Sequence, residues 1–277
     1  MDTFVSPKIM GIINTTPDSF YSPSRAESQE AIDRGMKMID EGADILDIGG
    51  ESTRPGSAYT SVDEELRRVI PVLEGLRPRT RIPLSLDTRK YEVALAGLDA
   101  GAQIINDVSA LEDDPRILPL LAERGAKVVL MHKQGTPQTM QQNPHYKDPV
   151  IEVGDYLIQR AQHVLNGGVL RENIILDPGI GFGKTFEHNM TLIKELHSIV
   201  TRVEQYCAGV LLGYSRKGFL GTLLAEPEGQ PRGVDDRLFG GLGVGLWAVA
   251  KGARYLRVHD VKATKDALKV WWSISSQ

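Results

Sequence analysis

Eight short runs rich in Ile, Val and Leu punctuate this chain, and each closes on a small cluster of Asn, Asp, Ser, Gly or His. They occupy residues 9–14, 44–49, 82–87, 103–107, 127–132, 173–177, 209–215 and 254–259. The runs are apolar nearly end to end, as strands are when both faces of a parallel sheet are buried. Between them lie segments with helical period, such as Ala31, Ile32, Gly35, Met36 and Ile39, or Leu66, Val69, Ile70, Leu73 and Leu76. Gly42, Gly101, Gly125 and Gly252 each stand after such a segment and before the next run, where a left-handed residue ends a helix. Eight strand and helix units in 277 residues predict an α/β fold, a single (β/α)8 TIM barrel as one domain over residues 1–277. A doubly wound open sheet is the alternative. It is weakened because no Gly-x-Gly-x-x-Gly turn follows the first run.

Composition removes several functional classes. Thirty-two basic against 36 acidic residues leave a charge of −4, so the overall balance asks for neither a nucleic-acid nor a membrane-surface partner, and any anion site must be local. The single cysteine, Cys207, can form no internal disulfide, which points to a reducing, cytoplasmic setting. The first residues lack the basic-then-apolar order of a signal peptide, and the longest charge-free apolar stretch, Leu238–Ala250, falls short of the ~20 residues that span a bilayer. Glycine is in excess, at 28 residues.

In a barrel the active site is built at the C-terminal ends of the strands, so the residues closing each run are the candidates. They are Asn14; Glu51, Thr53 and Arg54 after Gly49-Gly50; Asp87; Asn106-Asp107; His132; Asp177; Ser215-Arg216-Lys217; and Arg257 with His259. Turn chemistry explains Asp and Asn at strand ends, but it does not require Arg and Lys there. Asp87, Asn106 and Asp177 suit a flat, nitrogen-rich heterocycle whose N–H edge a buried carboxylate can accept. Arg54, Lys217, Arg257 and His259 suit phosphate, with Asn14 and Thr53 as neutral oxygen ligands for a metal or a phosphate group. The longest loops, residues 20–26 and 134–148, follow strands and so fall on this face; a third, 225–235, has no assigned face.

Two of these segments are more specific. Met10-Gly11-Ile12-Ile13-Asn14-Thr15-Thr16-Pro17-Asp18-Ser19-Phe20 and Asp47-Ile48-Gly49-Gly50-Glu51-Ser52-Thr53-Arg54-Pro55-Gly56 resemble the two signature segments of the dihydropteroate synthase family, pterin-binding barrels of folate synthesis. The likeness continues in family order through Ser85-Leu86-Asp87-Thr88, Ile105-Asn106-Asp107, Leu130-Met131-His132, Leu176–Lys184, Ser215-Arg216-Lys217 and Arg257-Val258-His259-Asp260. It implies a condensation of 6-hydroxymethyl-7,8-dihydropterin diphosphate with 4-aminobenzoate, giving 7,8-dihydropteroate and diphosphate. It further implies that Asp87, Asn106, Asp177 and Lys217 bind the pterin, with Met131, Phe182 and Arg257 as walls. Asp87, Asp177, Lys217 and Arg257 would carry the catalysis. Asn14, Thr53, Arg54, Arg257 and His259 would hold the diphosphate, with Mg²⁺ bound through Asn14, while Phe20, Pro55, Lys217 and Gly218 would border the aminobenzoate. The aminobenzoate carboxylate is expected at the N-terminus of a helix starting near Gly218. A homodimer is the family habit.

The chain also departs from the family. After Phe20 relatives run through a Ser-x-Gly-Gly-like turn, whereas this chain reads Tyr21-Ser22-Pro23-Ser24-Arg25, so a stiffer loop is expected, with consequences for closure and for the response to sulfonamides. Lys133 stands where relatives are often apolar, and a solvated loop lysine is expected. Lys184 does not complete a phosphate-binding P-loop, because Pro178 holds the place of its first glycine; a turn residue with a supporting role is expected. His145, His163, His188 and His197 show no metal spacing and are expected on the surface, and Trp271-Trp272 in a last helix or a dimer contact. The competing functions are a pterin-binding methyltransferase acting on methyltetrahydrofolate, a Schiff-base aldolase using Lys217, and a non-catalytic pterin-binding relative.

Overall fold

The computed structural model describes residues 6–15, 25–52, 56–136 and 138–275. Eight parallel strands, β1 (Lys8–Asn14), β2 (Ile45–Gly49), β3 (Leu84–Asp87), β4 (Ile104–Asp107), β5 (Lys127–Met131), β6 (Ile174–Asp177), β7 (Gly209–Gly213) and β8 (Tyr255–Val258), follow one another around a closed barrel, and β8 pairs back onto β1. Each lies within two residues of the run expected for it. The helices are α1 (Arg25–Asp40), α2 (Val62–Leu76), α3 (Tyr91–Asp99), α4 (Ile117–Arg124), α5 (Pro149–Asn166), α6 (Phe186–Lys194), α7 (Leu196–Val203), α8 (Gly218–Leu223), α9 (Leu238–Ala250) and α10 (Val261–Ser275). The (β/α)8 barrel expected from the alternation is therefore the fold.

Two apolar layers hold it. One strand face points outward and meets the helices, as Leu46, Ile48, Leu84 and Leu86 do with Val69, Leu73 and Leu76 of α2. The inward face packs a separate cluster of Met10, Ile45, Ile104, Val129, Ile175, Leu211 and Tyr255. Burying one such side chain stabilises by roughly 1.5–3 kcal/mol, so this inner layer alone makes the barrel a filled core rather than a pore. Because side chains alternate along a strand, the residues two positions beyond that layer are Ile12, Asp47, Asn106, Met131, Asp177, Gly213 and Arg257. The inner core thus sets what lies above it.

The strand-to-helix and helix-to-strand connections follow local chemistry. Gly42, Gly101, Gly125 and Gly252 all take positive φ, from 61° to 101°, as expected of helix-ending residues. Helix α2 starts where the Ser61 side chain accepts from the Glu64 amide at 3.3 Å, with Asp63, Glu64 and Glu65 in its first turn. Trp271 packs against the core from α10 and meets Trp272 edge-to-face at 6.3 Å. Among the described residues no helix is long and apolar enough to cross a membrane.

Candidate active site

The strand ends converge as the barrel requires. Strand register aligns Asn14 with Gly49, Gly49 with Asp87, Asp87 with Asn106, Met131 with Asp177, and Gly213 with Arg257. Glycine at 49 and 213 keeps the mouth open: a Cβ on Gly213 would reach 3.6 Å from Asp177 Oδ2 and 3.7 Å from Lys217 Nζ.

Arg257 is the hub. Its Nε donates to Asp47 Oδ2 at 2.6 Å and a terminal nitrogen to Asp87 Oδ2 at 2.8 Å. One guanidinium thus serves two carboxylates. Burial pushes the Asp87 carboxyl up to about 8, against the pull of Arg257 and with help from Asp47, Glu65 and Asp107. Burial alone would lower the Arg257 guanidinium, but Asp47 and Asp87 beside it more than offset this and raise it above its ordinary value. Asp177 is likewise raised by burial, opposed by Lys217, and one of its oxygens is committed to the Gly179 amide at 2.7 Å. Burial brings Lys217 down to about 8; its amine donates to the Ile180 carbonyl and lies 4.6 Å from the centre of the Phe182 ring. Met131 is buried beside Asp177.

Asn14 is exposed at the mouth, His259 is bonded to Ser215 through its amide at 3.2 Å and its ring Nδ1 at 3.1 Å, and Gly218 is the first residue of α8. The helix start expected near Gly218 is thus present. Phe20, Thr53, Arg54 and Pro55 lie outside the described residues, as does the glycine-free stretch from Tyr21 to Ser24.

Several contributors escaped the sequence reading. Asp47 is fully buried inside β2 and accepts from Asn106 Nδ2 at 3.0 Å as well as from Arg257. Its signal in the sequence is a lone charge within the apolar run Ile45-Leu46-Asp47-Ile48. A second finding is a chain of alternating charges along the rim: Glu65, Lys90, Glu51, Arg89, Asp113 and Lys133. It links α2 to the loops after β2, β3, β4 and β5. Lys133 is therefore not a solvated lysine; only 15% of its side chain is exposed and it pairs with Asp113 at 3.3 Å.

The other strand-end residues brace the loops. Asp107 accepts from the Ser109 and Leu111 amides, which shapes a turn in which Ala110 and Leu111 take positive φ. Lys184 is buried, and its amine meets His132 Nδ1 at 2.9 Å and the Phe182 carbonyl at 3.0 Å, the supporting role expected of it. Burial lowers this amine to about 7. His145, His163 and His197 are exposed, while His188 closes a capping box with Thr185 at the start of α6. No group of three His, Cys, Asp or Glu side chains that could hold a metal occurs among the described residues.

Two carboxylates, an amide, a bridging arginine and a desolvated lysine at the mouth of a closed barrel form a cluster that can accept the N–H edge of a flat, donor-rich heterocycle, as in a ligand-binding (β/α)8 enzyme. The family model described as pterin binding enzyme matches residues 10–259. A dihydropteroate synthase of Neisseria meningitidis serogroup C is 45% identical over 275 residues, covering 96% of this chain and 92% of its own. The structure of Xanthomonas albilineans dihydropteroate synthase with 4-aminobenzoic acid superposes with a TM-score of 0.88 at 42% identity, covering 98% of this chain and 94% of that one. The same enzyme in complex with 7,8-dihydropteroate gives 0.85 at 40%, covering 99% and 96%. The chain belongs to the pterin binding enzymes and, within them, to the dihydropteroate synthase family.

Proposed function

We propose that this chain condenses 6-hydroxymethyl-7,8-dihydropterin diphosphate with 4-aminobenzoate, releasing 7,8-dihydropteroate and diphosphate, with the work divided by charge across the barrel mouth. The observation that carries this reading is the convergence of Asp87, Asn106, Asp177, Lys217 and Arg257 from separate strand ends around one cluster. Asp87 and Asp177 accept the pterin's N–H groups, and Asn106 and Lys217 complete the ring contacts beside Met131 and Phe182. Both carboxyls sit high in the free protein because burial disfavours their charge; N–H donors from the ring restore the partners that water supplied.

As the bond from the pterin methylene to diphosphate breaks, negative charge leaves and positive charge develops on the ring. Ionised Asp87 and Asp177 stabilise the second, and Thr53, Arg54, Arg257 and His259 the first. The neutral aromatic amine then attacks the methylene, so the protein need supply no covalent nucleophile. The aminobenzoate lies between Phe20, Pro55, Lys217 and Gly218, its carboxylate towards the start of α8.

Mg²⁺ fits this donor set as a passenger on the diphosphate. Asn14 offers one exposed neutral oxygen, and no acidic trio competes among the described residues, which suits an ion that keeps substrate and water oxygens. When bound, it neutralises charge on the departing diphosphate.

The protein works as a homodimer in the cytoplasm. Support for the first comes from α9 and the neighbouring α10, which expose Phe239 (81%), Trp247, Val270 and Ile274. Support for the second is the single, buried Cys207. Light scattering on the purified protein decides the dimer, a monomer at micromolar concentration refuting it. For the reaction, Asp87→Ala and Lys217→Ala should each weaken pterin binding, whereas Arg54→Ala should act chiefly on diphosphate binding and turnover. Normal turnover in Arg54→Ala would remove that residue from the diphosphate site.

A further inference from the structure

Asp47 has no part in the division of labour above, yet it touches two residues that do. It is 0% exposed, on the inward face of β2 between the apolar layer and the mouth. Its Oδ2 accepts from Arg257 Nε at 2.6 Å and from Asn106 Nδ2 at 3.0 Å. Its Oδ1 is buried without a partner, and so is the hydroxyl of Ser85, the residue in register with it on β3.

Each contact restricts a neighbour. Anchored through Nε by Asp47 and through a terminal nitrogen by Asp87, the Arg257 guanidinium has its plane set by two fixed carboxylates from adjacent strands. Asp47 Oδ2 accepts from Asn106 Nδ2, so Asn106 turns its NH₂ group towards Asp47 and its carbonyl oxygen away. The unused Oδ1 and the Ser85 hydroxyl leave the floor with unspent polar capacity beside these contacts.

We propose that Asp47 is a positioning residue for pterin binding, fixing the plane of Arg257 and the amide orientation of Asn106 from the floor of the barrel. The proposal rests on the reading of Asn106 and Arg257 as pterin ligands. Preorganisation of this kind acts on the affinity for the ring and leaves the second substrate alone.

The test is calorimetric titration with 6-hydroxymethyl-7,8-dihydropterin, together with steady-state kinetics, for the parent protein, Asp47→Asn, Asn106→Ala, Arg257→Met and the Asp47→Asn/Asn106→Ala double variant. Asp47→Asn should weaken pterin binding by about tenfold and leave the aminobenzoate KM within about twofold. In the double variant the loss should fall short of the product of the two single losses by at least ~3-fold, since one residue acts through the other. If Asn106→Ala and Arg257→Met lower pterin affinity but Asp47→Asn does not, or if the losses simply multiply, the positioning role is overturned. If Asn106→Ala and Arg257→Met both leave pterin affinity intact, the ligand reading itself fails and the role of Asp47 with it. Should Asp47→Asn not fold, side-chain amide exchange of Asn106 in the ligand-free parent decides the matter. A protected hydrogen supports the proposal, and one exchanging at the solvent rate overturns it.

Discussion

Asp87→Asn should make the ligand-free protein more stable while depriving it of pterin. In the folded chain the Asp87 carboxyl is pushed up to about 8 by burial, with Asp47, Glu65 and Asp107 adding to the shift and Arg257 opposing it. Its unfolded value is about 4. Between those two values the folded protein holds a proton that the unfolded chain has released, so stability falls as pH rises from about 4 to about 8 and is level on either side. The displacement from 3.8 to about 8 sets a ceiling of ~6 kcal/mol at about 1.4 kcal/mol per unit. Arg257 opposes the shift, and 13% of the side chain remains in water, so a working figure is about 2 kcal/mol, or roughly 4–6 °C in Tm. Asparagine keeps the shape and does not titrate. Thermal unfolding of parent and variant from pH 5 to 9 should give curves that diverge, the variant melting progressively higher up to about pH 8. Pterin affinity, measured at pH 7, should fall by at least about tenfold with loss of the charged acceptor. Parallel curves, or a parent that gains on the variant as pH rises, would refute the reasoning.

Other substitutions probe the surrounding structure. Lys217 is brought down to about 8 by burial, so its charge is present below that pH and lost above it; the deficit of Lys217→Met in pterin affinity should be large at pH 7 and shrink by pH 9, and a constant deficit would deny the amine an electrostatic role. Gly179→Ala would place a Cβ 1.8 Å from the His132 carbonyl oxygen at a φ of +68°, and urea unfolding should show a loss of more than ~2 kcal/mol; a wild-type midpoint would mean the loop relaxes freely. Lys90→Met leaves Glu65 buried without its partner and should cost about 3–5 kcal/mol, most of it recovered in Lys90→Met/Glu65→Leu; calorimetric melting of both variants checks this.

The fold was legible because its signals are local. An apolar run such as 127–132 announces a strand buried on both faces, and Gly125 just before it takes the left-handed conformation that its place after a helix required. Asp87 and Asp177 are legible because they end their strands, and Asn106 because it stands one residue before the end of its own. Asp47 is not, because its importance lies in partners 59 and 210 residues away, and only barrel closure brings Arg257 beside it. Glu65 was hidden for another reason. It occupies the first turn of an amphipathic helix, where an exposed acid is ordinary, and nothing local predicts that Lys90 will bury it. Lys133 is hidden in the same way, since its partner Asp113 sits on the neighbouring loop.

The most direct test is a turnover experiment with the purified protein, 6-hydroxymethyl-7,8-dihydropterin diphosphate, 4-aminobenzoate and Mg²⁺, in which dihydropteroate and diphosphate are both measured. One diphosphate should be released for each dihydropteroate formed. Pterin binding without release of diphosphate, or no product at millimolar substrate, would contradict the assignment.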